Sequence, residues 1–297
     1  MSFSSEVKAE LCRAPLNRRC CAQAEAYGVL LYCGQFTGER VRITTESPEF
    51  AARLPALFRK AFSMSFDSLP GEGAWKHILT LTDPAKLAAL GAAFGYHPAE
   101  SLAHHINFAV LEEDHCRTAF FRGAFLAGGS VTDPAKRYHL ELTTPHLSVS
   151  RELRALLLEA GFSPKESRRN ANAITYFKQS EAIEDFLTAI GAPLAAMALM
   201  NAKAEKDLRG SINRRVNCDA ANLDKAVDAA QGQIEAIYRL EERGMLEDLP
   251  DKLKEAVDLR MAHPELTLAQ LAELCDPPVS KSAFNHRLRK LISLANQ

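Results

Sequence analysis

Residues 120–131 read FFRGAFLAGGSV, and residues 24–36 read AEAYGVLLYCGQF. Both stretches are apolar on nearly every side and carry glycines at matching places: Gly28 and Gly34 in one, Gly123 and Gly129 in the other, with Gly128 beside the last. Glycine inside a helix costs about 1 kcal/mol relative to alanine, so something must offset it. A close approach of two helix backbones does so. The two stretches are therefore expected to pack on each other at a pseudo-two-fold axis, with one sheet per half flanking them.

Reading outward from each helix gives the same order of elements at an offset of roughly 95 residues. A strand-like alternation follows, RVRITT from Arg40 and YHLELTT from Tyr138. Next come a proline-marked amphipathic helix, SPEFAARLPALFRKAF from Ser47 and TPHLSVSRELRALLLEAGF from Thr144, and a second strand, WKHILTLTD from Trp75 and AITYFKQS from Ala173. Each half closes on a short helix ending at Gly95 or Gly191. These spans place one repeat in residues 1–112 and the other in 113–195, followed by a helical linker over 196–248 and a terminal module over 249–297.

The terminal module predicts three helices. The first runs from about Pro250 to Ala262, with Leu253, Val257 and Met261 on one side and Pro264 stopping it. The second opens at Thr267, whose spacing to Gln270 is that of a capping box, and shows Leu268, Leu271, Ala272 and Cys275 as its apolar face. The Asp276-Pro277-Pro278 turn ends it. Ser280 is the expected N-cap of the third, whose stripe is Phe284, Leu288, Leu291, Ile292 and Ala295. No Asp or Glu follows Asp276. That leaves an acid-free basic face, the pattern of a helix-turn-helix recognition helix.

The residue types suit duplex DNA. Arginine can bond both acceptors of a guanine edge and asparagine the edge of adenine, whereas lysine, serine and a helix N-terminus suit phosphate oxygens. Ser280 sits at the helix start, Lys281, Ser282, Asn285 and His286 are candidates for base readout, and Arg287, Arg289 and Lys290 for backbone neutralisation. In the linker, Lys203, Lys206, Arg209, Arg214 and Arg215 form either a phosphate-tracking strip or a solvated helix face. The following helix, from about Asn222 to Arg243, carries Leu223, Val227, Ala230, Ile234, Ile237 and Tyr238 and is expected to bury that stripe against a neighbouring module.

Composition sets outer limits. The chain has 297 residues, is 47 % hydrophobic and carries a net charge of −1, so a nucleic-acid surface must be local. Its seven cysteines are scattered, without a CxxC pair or a Cys/His cluster at zinc spacing, and imply a reducing compartment. Vicinal Cys20 and Cys21 read either as a redox pair or as two small residues entering a buried helix. The opening MSFSSEVKAELCR lacks a signal-peptide pattern, and no apolar run reaches membrane length, so a cytoplasmic, nucleoid-associated protein with no membrane partner is expected. No cofactor or metal is expected.

FRGAFLAGG (121–129) and AYGVLLYCG (26–34) resemble the signature helices of the LAGLIDADG homing endonucleases. The resemblance implies an α+β fold, a LAGLIDADG-like, pseudo-symmetric two-repeat domain whose sheets form a saddle for DNA, joined to a second, all-α helix-turn-helix domain. In that family an acidic residue near the end of each signature holds the catalytic metal. The aligned positions here are Cys33 and Gly128, neither a hard oxygen donor, so no enzyme activity is expected. Glu25 and Asp133 lie nearby, as displaced ligands or, in the plainer reading, as a helix-surface glutamate and a turn aspartate.

FRGAFLAGGSV, SINRRVNCDAANLDKAV from Ser211 and PPVSKSAFNHRLRKL from Pro277 together resemble the WhiA family of bacterial transcriptional regulators. That family joins a degenerate LAGLIDADG-like domain to a helix-turn-helix similar to the DNA-binding region of sigma factors. The resemblance implies control of sporulation genes, or a role in cell division and chromosome segregation. Double-stranded DNA is the implied partner, with another transcription regulator or RNA polymerase as possible company and the oligomeric state open. A protein- or ligand-binding adaptor is the alternative from the residues alone.

Overall fold

The structure is a computed structural model that describes residues 2–71, 75–97 and 103–297. The chain divides into two compact units, Met1–Asp207 and Leu208–Gln297. In the first, α1 (Phe3–Leu11) is capped by Ser2 and buries Val7 and Leu11. The opening segment is thus part of the core.

The first repeat then runs α2 (Arg19–Tyr32), β1 (Gln35–Phe36), β2 (Val41–Thr45), α3 (Pro48–Phe62), β3 (His77–Leu81) and α4 (Pro84–Phe94). After a 3-10 turn at Phe108–Leu111, the second runs α5 (Asp114–Gly128), β4 (Gly129–Val131), β5 (Leu140–Thr144), α6 (Leu147–Glu159), β6 (Lys165–Arg169), β7 (Asn172–Phe177) and α7 (Ser180–Ile190). All five repeated elements occur in the expected order. Ser47 and Asp83 cap α3 and α4 through their side chains, while Gly95 and Gly191 close α4 and α7 in the left-handed conformation.

Both sheets are antiparallel, with orders β1-β2-β3 and β4-β5-β7-β6. Register places Val41 opposite Leu81 and Ile43 opposite Leu79, and in the other sheet Leu140 opposite Phe177. These side chains are buried, so each sheet turns its apolar face inward. The strands not anticipated are β1, β4 and β6. Two of them are two or three residues long, and β6, KESRR, is fully exposed and has no apolar alternation to betray it.

Helices α2 and α5 cross at the centre. A Cβ on Gly28 would overlap the Phe120 carbonyl oxygen and the Ala124 nitrogen, and one on Gly123 would overlap the Glu25 carbonyl. The two glycines therefore hold the two backbones in contact. Gly34 has no such part: it follows the helix, and its nearest neighbour would be the Arg42 carbonyl at 3.9 Å. The crossing is one glycine pair rather than two.

Glu25 is a correction as well. It is 1 % exposed, not on a helix surface, because α2 is enclosed on every side from Ala24 to Tyr32. Arg53 bonds both its carboxylate oxygens, at 2.6 and 2.9 Å, and Arg122 from the other repeat reaches Oε2 at 3.3 Å. Arg53 also donates to the carbonyls of Cys12 and Ala14, and Arg122 to that of Ile190. A buried charge must be paired, and this one is paired across the pseudo-axis. Asp133 is exposed and accepts from the Ala135 amide at 2.9 Å, as a turn aspartate.

The expected linker and the helix after it are one 50-residue helix, α8 (Pro193–Glu242). Of the expected stripe, Ile237 is buried, beside Ala236 and Leu240, and Ala230 and Ile234 are half-buried, whereas Leu223, Val227 and Tyr238 are exposed. The second unit adds α9 (Asp251–Ala262), α10 (Leu268–Glu273) and α11 (Lys281–Ala295), whose core is built on Leu253, Val257, Leu271, Phe284, Leu288 and Leu291. This core is too small to cover more of the long helix. Met261 is only half-buried; Arg260 is the buried member, donating to the carbonyls of Pro264 and Leu266 and so closing the α9–α10 loop. No described helix is long and apolar enough to cross a membrane.

Candidate nucleic-acid interface

Local chemistry fixes both ends of the turn that presents α11. Thr267 accepts from the Gln270 amide and its own amide donates to Gln270 Oε1 at 2.9 Å, the reciprocal pair that starts α10. Ser280 Oγ accepts from the Ala283 amide at 3.2 Å and starts α11. That bond occupies one of the two lone pairs of the hydroxyl.

With Phe284, Leu288 and Leu291 facing the core, the opposite side of α11 presents Lys281, Ser282, His286, Arg289 and Lys290 to solvent, with Asn285 half-buried at its margin. The structure thus brings together every terminal residue singled out except Arg287. Its guanidinium turns inward to Glu255 Oε2 at 2.7 Å and lies 3.7 Å from Cys275 Sγ. Glu255 in turn accepts from the Asp276 amide at 2.8 Å. That amide, and then Arg287, hold the Glu255 carboxyl below the usual carboxylate range. Arg287 positions α11 and the proline turn against α9. Sequence spacing missed this because the partner lies 32 residues away on another helix.

Along α8, Arg209, Arg214 and Arg215 are exposed. Lys203 and Lys206 are engaged within the first unit, Lys203 with Glu181 and Lys206 over the Tyr138 ring at 4.6 Å.

The two degenerate positions meet different fates. Cys33 ends α2 and donates its thiol to the carbonyls of Leu30 and Gln35, at 3.2 and 3.3 Å. Burial pushes that thiol up to about 12, so it stays neutral. Gly128 ends α5 under the Tyr32 ring; a Cβ there would lie 2.8 Å from Tyr32 Cδ1 and overlap the Thr143 carbonyl. Nearby, Thr144 Oγ1 donates to the Leu31 carbonyl at 2.9 Å. Both positions are thus packed against protein atoms.

At the other end of the helix pair the sequence reading overlooked a cluster. The donor atoms of Cys20, Cys21, His115 and Cys116 lie within 4.8 Å of one another. Neither dipeptide is a motif by itself. The signal that could have found them is the repeat: Cys20 and His115, and likewise Cys21 and Cys116, stand at the same offset as Gly28 and Gly123.

Comparison with known proteins agrees with this architecture. The WhiA LAGLIDADG-like domain model matches residues 117–209, and the WhiA C-terminal HTH domain model matches residues 212–295. The chain is 36 % identical over 306 residues to the probable cell division protein WhiA of Ruminiclostridium cellulolyticum, covering 100 % of this chain and 98 % of that protein. It is also 36 % identical over 314 residues to the probable cell division protein WhiA of Heliobacterium modesticaldum, covering 99 % and 96 %. Among solved structures, full-length DUF199/WhiA from Thermatoga maritima is similar in fold, with a TM-score of 0.62 at 24 % identity over 100 % of this chain and 98 % of that one. The N-terminal LAGLIDADG domain of DUF199/WhiA gives a TM-score of 0.51 at 22 % identity, over 64 % of this chain and 90 % of that one. With both domain types in order, and relatives well above 30 % identical along the full length, this chain belongs to the WhiA family.

Proposed function

We propose that this chain is a sequence-specific regulator of transcription that binds double-stranded DNA through α11, on a LAGLIDADG-like scaffold without nuclease activity. The observation that carries the reading is the solvent-facing side of α11. Lys281, Arg289 and Lys290 stand there with Ser282 and His286, on a segment without a single acid after Asp276. Asn285, at the edge of that face, and His286 are the base-reading candidates near the helix start. Arg289 and Lys290, with Arg209, Arg214 and Arg215 on α8, are the candidates for phosphates.

The absence of nuclease activity rests on a neutral, hydrogen-bonded Cys33 and a Gly128 covered by Tyr32. The relatives' name, probable cell division protein, favours genes of cell division and chromosome segregation as targets, with sporulation genes as the family's other branch. Another regulator or RNA polymerase would then act beside it on the nucleoid.

Binding of the full chain to duplex DNA across a salt series, with and without magnesium, tests both parts. Specific binding with a steep salt slope and no cut strand is expected. Each of Arg289→Ala and Lys290→Ala should reduce the slope by about 1. Binding that ignores both substitutions overturns the assignment of α11, and strand cleavage overturns the inactive scaffold.

A further inference from the structure

The N-terminal ends of α2 and α5 lie about 20 Å along the helix from Cys33, at 1.5 Å per residue. There each repeat contributes two adjacent donors from the first turn of its central helix, Cys20 and Cys21 from α2, His115 and Cys116 from α5. We propose that these four side chains form a zinc site that clamps the two repeats together at that end.

Distances fit the metal. His115 Nδ1 stands 3.3 Å from Cys21 Sγ and 3.2 Å from Cys116 Sγ, and all four donor atoms fall within 4.8 Å. Tetrahedral zinc, with Zn–S of about 2.3 Å and Zn–N of about 2.0 Å, requires N···S edges of about 3.5 Å and S···S edges of about 3.8 Å. The donor separations, none above 4.8 Å, are within about 1 Å of those edges.

Chemistry selects the same ion. Three sulfurs and one imidazole are donors for a soft or borderline cation and poor ones for magnesium or calcium. Because Gly28 and Gly123 lock the two helices backbone to backbone, the donors are held in place before any metal arrives. Binding breaks three S–H bonds and forms three Zn–S bonds and one Zn–N bond; three protons pass to solvent and no electrons move. Cys116 is buried and Cys20 is exposed, so metal enters from the Cys20 side.

The full chain, expressed with zinc in the medium and purified with a phosphine reductant, is expected to carry one zinc by elemental analysis. Cobalt(II) in its place should give thiolate-to-cobalt charge-transfer absorption and the intense visible bands of a tetrahedral site. Stripping with a strong chelator should lower Tm, and zinc alone should restore it. Cys116→Ser is buried and risks the fold, so the deciding variant is the exposed Cys20→Ser, expected to stay folded and bind zinc at least tenfold more weakly. Cys218→Ser, on exposed α8, should match the unmodified chain. Absence of bound zinc with a Tm indifferent to chelator, a pale octahedral cobalt spectrum, or Cys20→Ser retaining full affinity overturns the proposal. So does a Cys21–Cys116 disulfide as the resting state of chain purified without reductant.

Discussion

The central helices α2 and α5 and the terminal helix α11 solve opposite problems. In α2 and α5 the decisive residues are the ones that leave space: Gly28 and Gly123 let two backbones touch, and an addition of one carbon at either would strike main-chain atoms. In α11 the decisive residues project, with Lys281, Arg289 and Lys290 reaching outward from a face kept clear of acids. An apolar crossing is specified by shape and tolerates no growth; a polar surface is specified by charge and can lose groups without unfolding. Substitutions on the two helices should therefore fail in different ways.

The largest effect is expected from Gly123→Leu, which forces a side chain into the Glu25 main chain and should cost about 5 kcal/mol, enough to remove the fold of the first unit. Gly34→Ala, outside the crossing, should change stability by no more than about 0.5 kcal/mol in the same chemical denaturation experiment. If the two behaved alike, the single glycine pair would not be what sets the helix crossing. Next comes Glu25→Gln, which leaves Arg53 buried without its counter-charge and should cost about 3–4 kcal/mol.

On α11, Arg289→Ala combined with Lys290→Ala should weaken DNA binding about 100-fold, equivalent to about 2.8 kcal/mol, while leaving the melting curve in place. Loss of fold in that double variant would erase the contrast between the two helices. Glu255→Gln sharpens it from within the second unit. It should cost about 1–2 kcal/mol and blur α11 without touching its outer face. Its carboxyl is held low in the fold, so the stability it supplies is present above the unfolded value of about 4.3 and is lost as pH falls below it.

In the first unit a pH dependence is expected. His104, bonded through Nε2 to the Phe36 carbonyl at 2.7 Å, meets the ring of His146 edge-on at 4.5 Å. Burial, and then His104, lower His146 to about 4. The fold prefers the neutral ring, so its contribution is full above about 6.5 and declines as pH falls toward about 4. His146→Gln should flatten that slope in a thermal melt series.

The repeat was legible in the sequence because periodicity and glycine spacing are local signals: RVRITT and YHLELTT alternate, and Gly95 and Gly191 end their helices, wherever the chain then goes. The face of α11 was legible for the same reason. What escaped were facts set by partners distant in sequence. Glu25 carries no mark that Arg53 and Arg122 will enclose it, and Arg287 differs from Arg289 only in which way the helix turns it. The stripe from Leu223 onward obeys helical periodicity, yet periodicity does not say how much cover a small module supplies. The cysteine–histidine cluster was hidden in plain repeat symmetry, since dipeptides far apart in the chain become neighbours only when the two central helices pair.

The packing around Gly128 and Cys33 limits what either position can become. An aspartate introduced there would have to displace the Tyr32 ring and the Thr143 carbonyl before it could meet a cation, and one at position 33 would give up the thiol bonds to Leu30 and Gln35. A carboxylate at either position therefore requires its neighbours to move. The packing works as a ratchet: a change at either position requires several groups to move at once, and each of those moves singly costs stability.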